Sequence, residues 1–167
     1  MDKNNIKQAF NAYLESAEPD DLEVIDHMVK GWTGQKDGTF NSYVGSWIQP
    51  EREWLDDQTL DVTIPVHKGI KNPLQIVHGG ATATLLDIAM GSLANSLAPN
   101  GKASVTLEMK INYMKPGKGR RLRCRTSLLA QTTKTVVTEG RVFNDENELI
   151  AHATGTFYVI PVPPDLF

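Results

Sequence analysis

The sequence lacks several features that would place a protein in a class at once. Its only cysteine is Cys124, so no internal disulfide can form, and a lone cysteine within a predicted strand is typical of a core residue in a reducing compartment. No apolar run reaches the roughly 18 residues that a membrane span requires. The polar N-terminus also has no hydrophobic secretory region. We therefore expect a soluble, cytoplasmic protein with no membrane partner.

Strong charge and the common ligand motifs are also missing. The formal net charge of −3 provides no field that would favour nucleic acid or an anionic membrane. No glycine-rich loop of the Walker or dinucleotide type is present. The histidines do not have the spacing of metal ligands; they are His27, His67, His78 and His152. The sequence therefore predicts no nucleic-acid partner and no metal site.

What is present suits one ordinary globular domain. The chain has 167 residues, of which 40% are apolar and 22% charged. Apolar residues recur at helical spacing through the first thirty residues, so we predict a helical N-terminal extension over residues 1–35. The main domain is predicted over residues 36–160. The proline-rich residues 161–167 are predicted to be an extended tail.

From residue 38 the pattern becomes that of strands. Two are predicted before the central helix, "TFNSYVGSWIQ" and "TLDVTIPVHKG", joined by a polar turn, "PEREWLDD". Four follow the helix: "SVTLEMKINYM", "RLRCRTSLLAQ", "TVVTEGRVFN" and "ELIAHATGTFYVI". Short connections such as "KPGKG" predict antiparallel neighbours. In the first of the four, alternating apolar residues predict one buried face: Val105, Leu107, Met109, Ile111 and Tyr113.

Between the two sets of strands lies the apolar helix "GGATATLLDIAMGSLANSL". A helix this apolar cannot be half exposed, so the economical arrangement wraps a curved antiparallel sheet around it. The sequence therefore predicts an α+β fold with one long central helix.

Two glycines open this helix. Gly79 and Gly80 lie at its first turn, where backbone N–H groups have no partner inside the helix and the helix dipole favours negative charge. Such an end can serve as an oxyanion hole. Glycines at this position can equally serve only to let the helix pack closely on a sheet. The spacing leaves both alternatives open.

Asp87 is the unusual residue of the helix. Its neighbours along the helix are leucine, isoleucine, alanine and methionine, which offer it nothing to pair with. It is therefore either a buried acid paired with a lysine elsewhere in the chain or with backbone donors, or a catalytic carboxylate. Asp87 follows Gly79 by eight residues, or roughly 12 Å of helix. One helix therefore cannot bring both groups to one carbonyl, which indicates a homodimer with antiparallel helices about a two-fold axis.

The motif formed by Asn72, His78, Gly79, Gly80 and Asp87 resembles the signature of hotdog-fold acyl-CoA thioesterases, in particular the phenylacetyl-CoA thioesterase-like branch. The similarity continues through "VTLEMKINYMKPGKG" and "ELIAHATGTFYV". It implies a hotdog fold and hydrolysis of an acyl-CoA to a free acid and coenzyme A. Coenzyme A would enter as part of the substrate, with no separate cofactor. It also implies a homodimer or dimer of dimers with sites at the subunit interface.

The resemblance also implies catalytic roles. The Gly79 N–H, aided by the Asn72 side chain, would polarise the thioester carbonyl. Asp87 of the facing subunit would act as nucleophile or as general base on water. Thr106 would help to hold the hydrolytic water. His78 would position the helix, with direct proton transfer as the alternative.

The same resemblance places coenzyme A along the end of the third strand and the turn between the fourth and fifth. The residues implied there are Tyr113, Lys115, Pro116, Lys118, Gln131 and Lys134. The lysines would pair with phosphates; otherwise each is a solvated turn residue. A non-catalytic acyl-CoA-binding module is the alternative function. The acid at position 87 counts against it, because a pure binder gains nothing from a desolvated carboxylate.

Overall fold

The computed structural model describes residues 2–162. These residues form two compact units. One comprises the described residues up to Gln49 together with His67–Gly69, and the other comprises Pro50–Val66 and the described residues from Ile70 onward. Most of the predicted tail, from residue 163, lies outside the described residues. Within residues 2–162 no helix is long and apolar enough to cross a membrane.

The first unit is helical. Its helices are α1 (Lys3–Glu15), α2 (Pro19–Lys36) and α3 (Tyr43–Ile48). A capping box between Glu18 and Asp21 begins α2 and satisfies N–H groups that the first turn leaves unpaired. The helical pattern predicted for the first thirty residues is confirmed.

The first predicted strand, over residues 39–49, is wrong, because this segment contains α3. The Ser42 side chain caps the helix by accepting a hydrogen bond from the Gly45 N–H at 3.0 Å. Gln49 ends it in the left-handed region, with φ of 48°. Local capping therefore outweighs the loose alternation of apolar residues that suggested a strand.

The second unit contains a six-stranded sheet and one long helix. The helix is α4 (Gly79–Ser96), and a 3₁₀ turn, Lys68–Ile70, precedes it in the chain. The strands are β1 (Glu51–Asp56), β2 (Thr59–Pro65), β3 (Lys102–Tyr113), β4 (Arg121–Gln131), β5 (Thr135–Phe143) and β6 (Leu149–Pro161). The order in the sheet is β1-β2-β4-β5-β6-β3, and each pairing is antiparallel.

Two predictions about the strands are corrected. The segment predicted to be the turn "PEREWLDD" contains β1, an edge strand that is exposed along its whole length. The sequence pattern did not indicate this strand because its residues are largely charged, and an edge strand buries few side chains. In addition, β3 pairs with β6 and not with β4, so "KPGKG" is a crossover and not a hairpin turn. The four strands predicted after the helix are confirmed.

The core lies between α4 and the inner face of the sheet. Leu85, Leu86 and Met90 of the helix are fully buried, and α4 contacts five of the six strands. Cys124 belongs to this core, and burial raises the pKa of its thiol. The sheet therefore curves around the helix, which is the α+β hotdog arrangement that the motif predicted.

The buried face predicted for β3 is wrong, because no residue of the strand is fully buried and only Met109 and Ile111 of the predicted set are half-buried. A bulge between Thr106 and Glu108 inserts one residue, so alternation changes phase at Leu107. Thr106 pairs with Phe157 on the inner face, whereas Val105 lies on the outer face and is 42% exposed. Leu107 and Tyr113 are exposed as well. The bulge thereby directs Thr106 toward α4.

An ion-pair cluster holds the outer face of β2 and β4. Asp61 is 5% exposed and accepts hydrogen bonds from Arg125 at 2.8 Å and from Arg123 at 3.0 Å. Burial alone would raise the pKa of Asp61, but the hydrogen bonds and charges of the two arginines outweigh it and lower the pKa.

We expect Asp61→Asn to lower the free energy of unfolding by about 2 kcal/mol at pH 7, because two arginines lose their counter-ion. Because the folded-state pKa is lowered, the contribution of Asp61 is complete above its unfolded pKa of about 3.9 and is lost as the pH falls through the folded value. Urea titrations at a series of pH values should show the difference narrowing below about pH 4. Asp57→Asn, at an exposed turn, is the control; an equal loss there would contradict the assignment.

Candidate active site

The start of α4 is held by His78. This residue is the N-cap, and its Nδ1 accepts a hydrogen bond from the Gly80 N–H at 2.9 Å. A Cβ on Gly80 would lie 2.9 Å from that nitrogen, so a larger residue there would displace the His78 ring from its capping position. The geometry gives His78 the helix-positioning role; proton transfer by its ring stays a prediction. The Gly79 N–H, in the first helical residue, has no partner inside the helix.

Asn72 anchors the loop that leads into this helix. Its side-chain oxygen accepts hydrogen bonds from the N–H groups of Leu74 at 2.9 Å and Ile76 at 3.4 Å. The backbone N–H of Asn72 also donates to the Ile76 carbonyl at 2.9 Å. With the oxygen engaged in the turn, the amide nitrogen is the group that can donate to a ligand.

The first cavity brings together five of the residues implied by the motif. It has a volume of about 300 Å³ and is lined by Asn72, Gly79, Tyr113, Lys115 and Pro116, among others. The Tyr113 hydroxyl donates to the Gly79 carbonyl at 2.9 Å and so ties the end of β3 to the first turn of α4. The residues implied for carbonyl polarisation therefore adjoin those implied for coenzyme A at the end of β3.

A second cavity contains Asp87. It has a volume of about 370 Å³, and Asp87 and Thr106 both line it. The Thr106 hydroxyl donates to Asp87 Oδ1 at 2.7 Å. The helix neighbours of Asp87 supply no partner, and the partner comes from β3. This hydrogen bond fixes the orientation of the carboxylate.

The two cavities have no lining residue in common. Within one chain, Gly79 thus faces one cavity and Asp87 the other, in line with their separation of roughly 12 Å along the helix. A single copy of the described residues does not present both groups to one carbonyl.

The remaining residues implied for coenzyme A are not in the first cavity. Gln131 donates from Nε2 to the Leu97 carbonyl at 2.9 Å and thus ties the end of β4 to the C-terminal end of α4. Lys118 and Lys134 are exposed in connecting segments. Lys115 lines the cavity but pairs with Glu148 at 2.7 Å, and this hydrogen bond lowers the pKa of Glu148. A phosphate would therefore compete with a carboxylate for Lys115.

Arg52 is a cavity residue that the sequence analysis missed. It lies in β1 and lines the Asp87 cavity, and its Nε donates to the Ser92 hydroxyl at 3.1 Å. It was missed because the segment "PEREWLDD" was wrongly predicted to be a turn. The available signal was the alternation in "EREW", which places Arg52 and Trp54 on one face of a strand.

The sequence of this chain is similar to those of known proteins. Residues 74–151 match the family model of the thioesterase superfamily. The medium/long-chain acyl-CoA thioesterase YigI of Escherichia coli is 30% identical over 97 residues, which cover 50% of this chain and 63% of YigI. The 1,4-dihydroxy-2-naphthoyl-CoA hydrolase of E. coli is 30% identical over 98 residues, which cover 58% of this chain and 71% of that protein. The chain thus spans somewhat less than two thirds of YigI.

Solved structures give the same picture. The BH2602 protein of Bacillus halodurans, crystallised with CoA, is 35% identical with a TM-score of 0.85, and the match covers 92% of this chain and 99% of that one. A hypothetical thioesterase of Streptococcus pneumoniae, crystallised with coenzyme A, is 30% identical with a TM-score of 0.65, and the match covers 76% and 97% of the two chains. Both likenesses extend over most of the described fold.

Proposed function

Because the chain belongs to the thioesterase superfamily, we propose that it hydrolyses an acyl-CoA thioester to a free carboxylic acid and coenzyme A. One observation carries the proposal. Gly79, whose N–H has no partner inside the helix, lines the same cavity as Tyr113 at the end of β3 and Lys115 and Pro116 just after it. A thioester carbonyl can thus approach a backbone donor while the coenzyme A portion extends along β3. The two E. coli relatives named above act on CoA thioesters, which supports the same substrate class.

The reaction follows from the groups that surround the carbonyl. The Gly79 N–H and the Asn72 amide donate to the carbonyl oxygen and stabilise the negative charge that develops there. As general base, Asp87 takes a proton from water while the hydroxide adds to the carbonyl carbon. The carbon–sulfur bond then breaks, and the coenzyme A thiolate leaves and takes up a proton. As nucleophile, Asp87 adds to the carbonyl carbon, the carbon–sulfur bond breaks and the coenzyme A thiolate leaves, which gives an anhydride that water then hydrolyses. Either route uses the Thr106 hydrogen bond to hold the carboxylate in place.

We further propose that two copies of the chain complete each site. Gly79 of one copy and Asp87 of the other would face a shared carbonyl across a two-fold axis. The exposed edge strand β3 supports this, because an unpaired edge with exposed apolar side chains such as Leu107, at 59%, favours association. A dimer of dimers would contain the same pair of sites twice.

The test is release of free thiol from a panel of acyl-CoA substrates with short, long and aromatic acyl groups. We expect kcat/KM for the preferred substrate in the ordinary enzyme range of about 10⁴ M⁻¹s⁻¹ or above. Calorimetric titration with coenzyme A runs in parallel as the control. Binding of coenzyme A without thiol release from any substrate would contradict hydrolysis and favour the non-catalytic binding module.

A further inference from the structure

The cavity that contains Asp87 continues along α4 toward the C-terminal end of the helix. Its middle is apolar and is lined by Ile88, Gly91 and Phe157. Its far part is polar, because Ser92, Asn95 and Arg52 line it. The side-chain oxygen of Asn95 accepts from the Ser104 N–H at 2.7 Å, which leaves its amide nitrogen as a donor. The donors at this end are therefore the Asn95 amide, the Ser92 hydroxyl and the Arg52 guanidinium, and only the guanidinium carries a charge.

Arg52 is a cation without a counter-ion among residues 2–162. The ion pairs of the described residues do not include it. Its one hydrogen bond there runs from Nε to Ser92, which fixes the guanidinium against the helix and leaves both terminal nitrogens as donors. Arg52 pairs with the fully buried Val62 of β2, so its backbone is anchored by the core.

The spacing along α4 sets a minimum distance between the reaction and this cation. Ser92 follows Asp87 by five residues, or about 7.5 Å along the helix axis and roughly 140° around it. An acyl group whose carbonyl lies at Asp87 and whose chain follows the helix would pass Gly91 and Phe157 and reach Arg52. The methylene groups would contact the apolar middle of the cavity, and the end of the chain would meet the guanidinium.

On the basis of the proposed thioesterase function, we propose that this site selects acyl groups with a carboxylate at the far end of the chain. The substrate class is then a short dicarboxylic acyl-CoA. A planar guanidinium matches a carboxylate in geometry and binds it through charge-assisted hydrogen bonds. A neutral acyl end of the same length would leave the cation unpaired. Ser92 is the positioning residue, because it holds the guanidinium at the end of the cavity.

The experiment compares substrates of matched length: glutaryl-CoA against valeryl-CoA, and adipoyl-CoA against hexanoyl-CoA. For the wild-type protein we expect kcat/KM to favour the dicarboxylic member of each pair. Arg52→Gln should reduce that preference about 10-fold to 100-fold, because it removes a charged hydrogen-bond donor. Arg52→Lys, which keeps the charge without the planar fork, should retain part of the preference. The control is Arg141→Gln, an exposed arginine of the outer face that pairs with Glu139.

The outcomes separate this inference from the function on which it rests. Thiol release from neutral substrates at least as fast as from dicarboxylic ones would overturn the inference and leave hydrolysis intact. An equal loss for both substrate classes in Arg52→Gln would also overturn it and would assign Arg52 to general support of Asp87. If the wild type released no thiol at all, hydrolysis would fail. Calorimetric affinities of Asp87→Asn protein for glutaryl-CoA and valeryl-CoA would then decide the preference alone.

Discussion

Asp87→Asn should reduce kcat for acyl-CoA hydrolysis about 10³-fold, since general-base assistance of this kind contributes roughly 10² to 10⁴. Asparagine is isosteric with aspartate and can still accept the Thr106 hydrogen bond, but it neither removes a proton from water nor attacks a carbonyl. The measurement is thiol release under saturating substrate, with the melting temperature recorded for each variant.

Thr106→Val is the matched comparison for this result. It keeps the shape of the side chain and leaves the carboxylate present but without its 2.7 Å hydrogen bond. We therefore expect a loss of about 10-fold, which corresponds to one charge-assisted hydrogen bond of roughly 1.5 kcal/mol. Undiminished turnover by folded Asp87→Asn protein would remove Asp87 from the mechanism.

The second large effect concerns a single N–H group. Gly79→Pro should lower kcat about 10²-fold to 10³-fold, because it removes the donor proposed for the oxyanion. Proline suits the first position of a helix, so α4 should form as before. Gly79→Ala is the control, because it keeps the N–H and its Cβ would lie 3.6 Å from the Tyr113 ring, an ordinary contact. Equal losses in the two variants would indicate a steric effect and contradict the donor role.

The same two variants test whether a site is shared between copies. In a heterodimer of Asp87→Asn and Gly79→Pro chains, one site receives Gly79 and Asp87 in their original form, while the other receives both substitutions. Mixed chains should therefore regain a substantial part of wild-type activity, although each variant alone is nearly inactive. Mixtures that contain heterodimers by native mass spectrometry and yet regain nothing would show that each chain acts by itself.

The sequence predicted the parts of the fold whose patterns are strong. The apolar helix and the four strands after it have strong local sequence patterns, and all five lie where the patterns place them. The sequence did not predict β1, because an exposed edge strand of charged residues has no buried face. The sequence also did not predict the change in side-chain alternation at Leu107, because a bulge adds a residue without altering the residue types around it.

The sequence likewise predicted only part of the candidate site. Asn72, His78 and Gly79 are close in sequence, and the structure places them together at the start of α4. The contact between Thr106 and Asp87 depends on the bulge, so the alternation of residues in β3 did not indicate it. Arg52 depends on a strand that the pattern did not show. A contribution from a second copy is a property of association, which alternation within one chain does not specify.

The sheet order gives the Asp87 cavity an unusual origin. β1 and β3 are opposite edges of one sheet, yet Arg52 of β1 and Thr106 of β3 line the same cavity. The width of that cavity therefore depends on the curvature of the sheet, that is, on how tightly the strands between β1 and β3 wrap around α4. Gly140 of β5 contributes to this closeness, because a Cβ there would lie 2.9 Å from Leu86 and 3.2 Å from Met90. The width of the cavity therefore depends partly on residues on the far side of the helix, and a substitution in the core can change it without any change in the residues that line it.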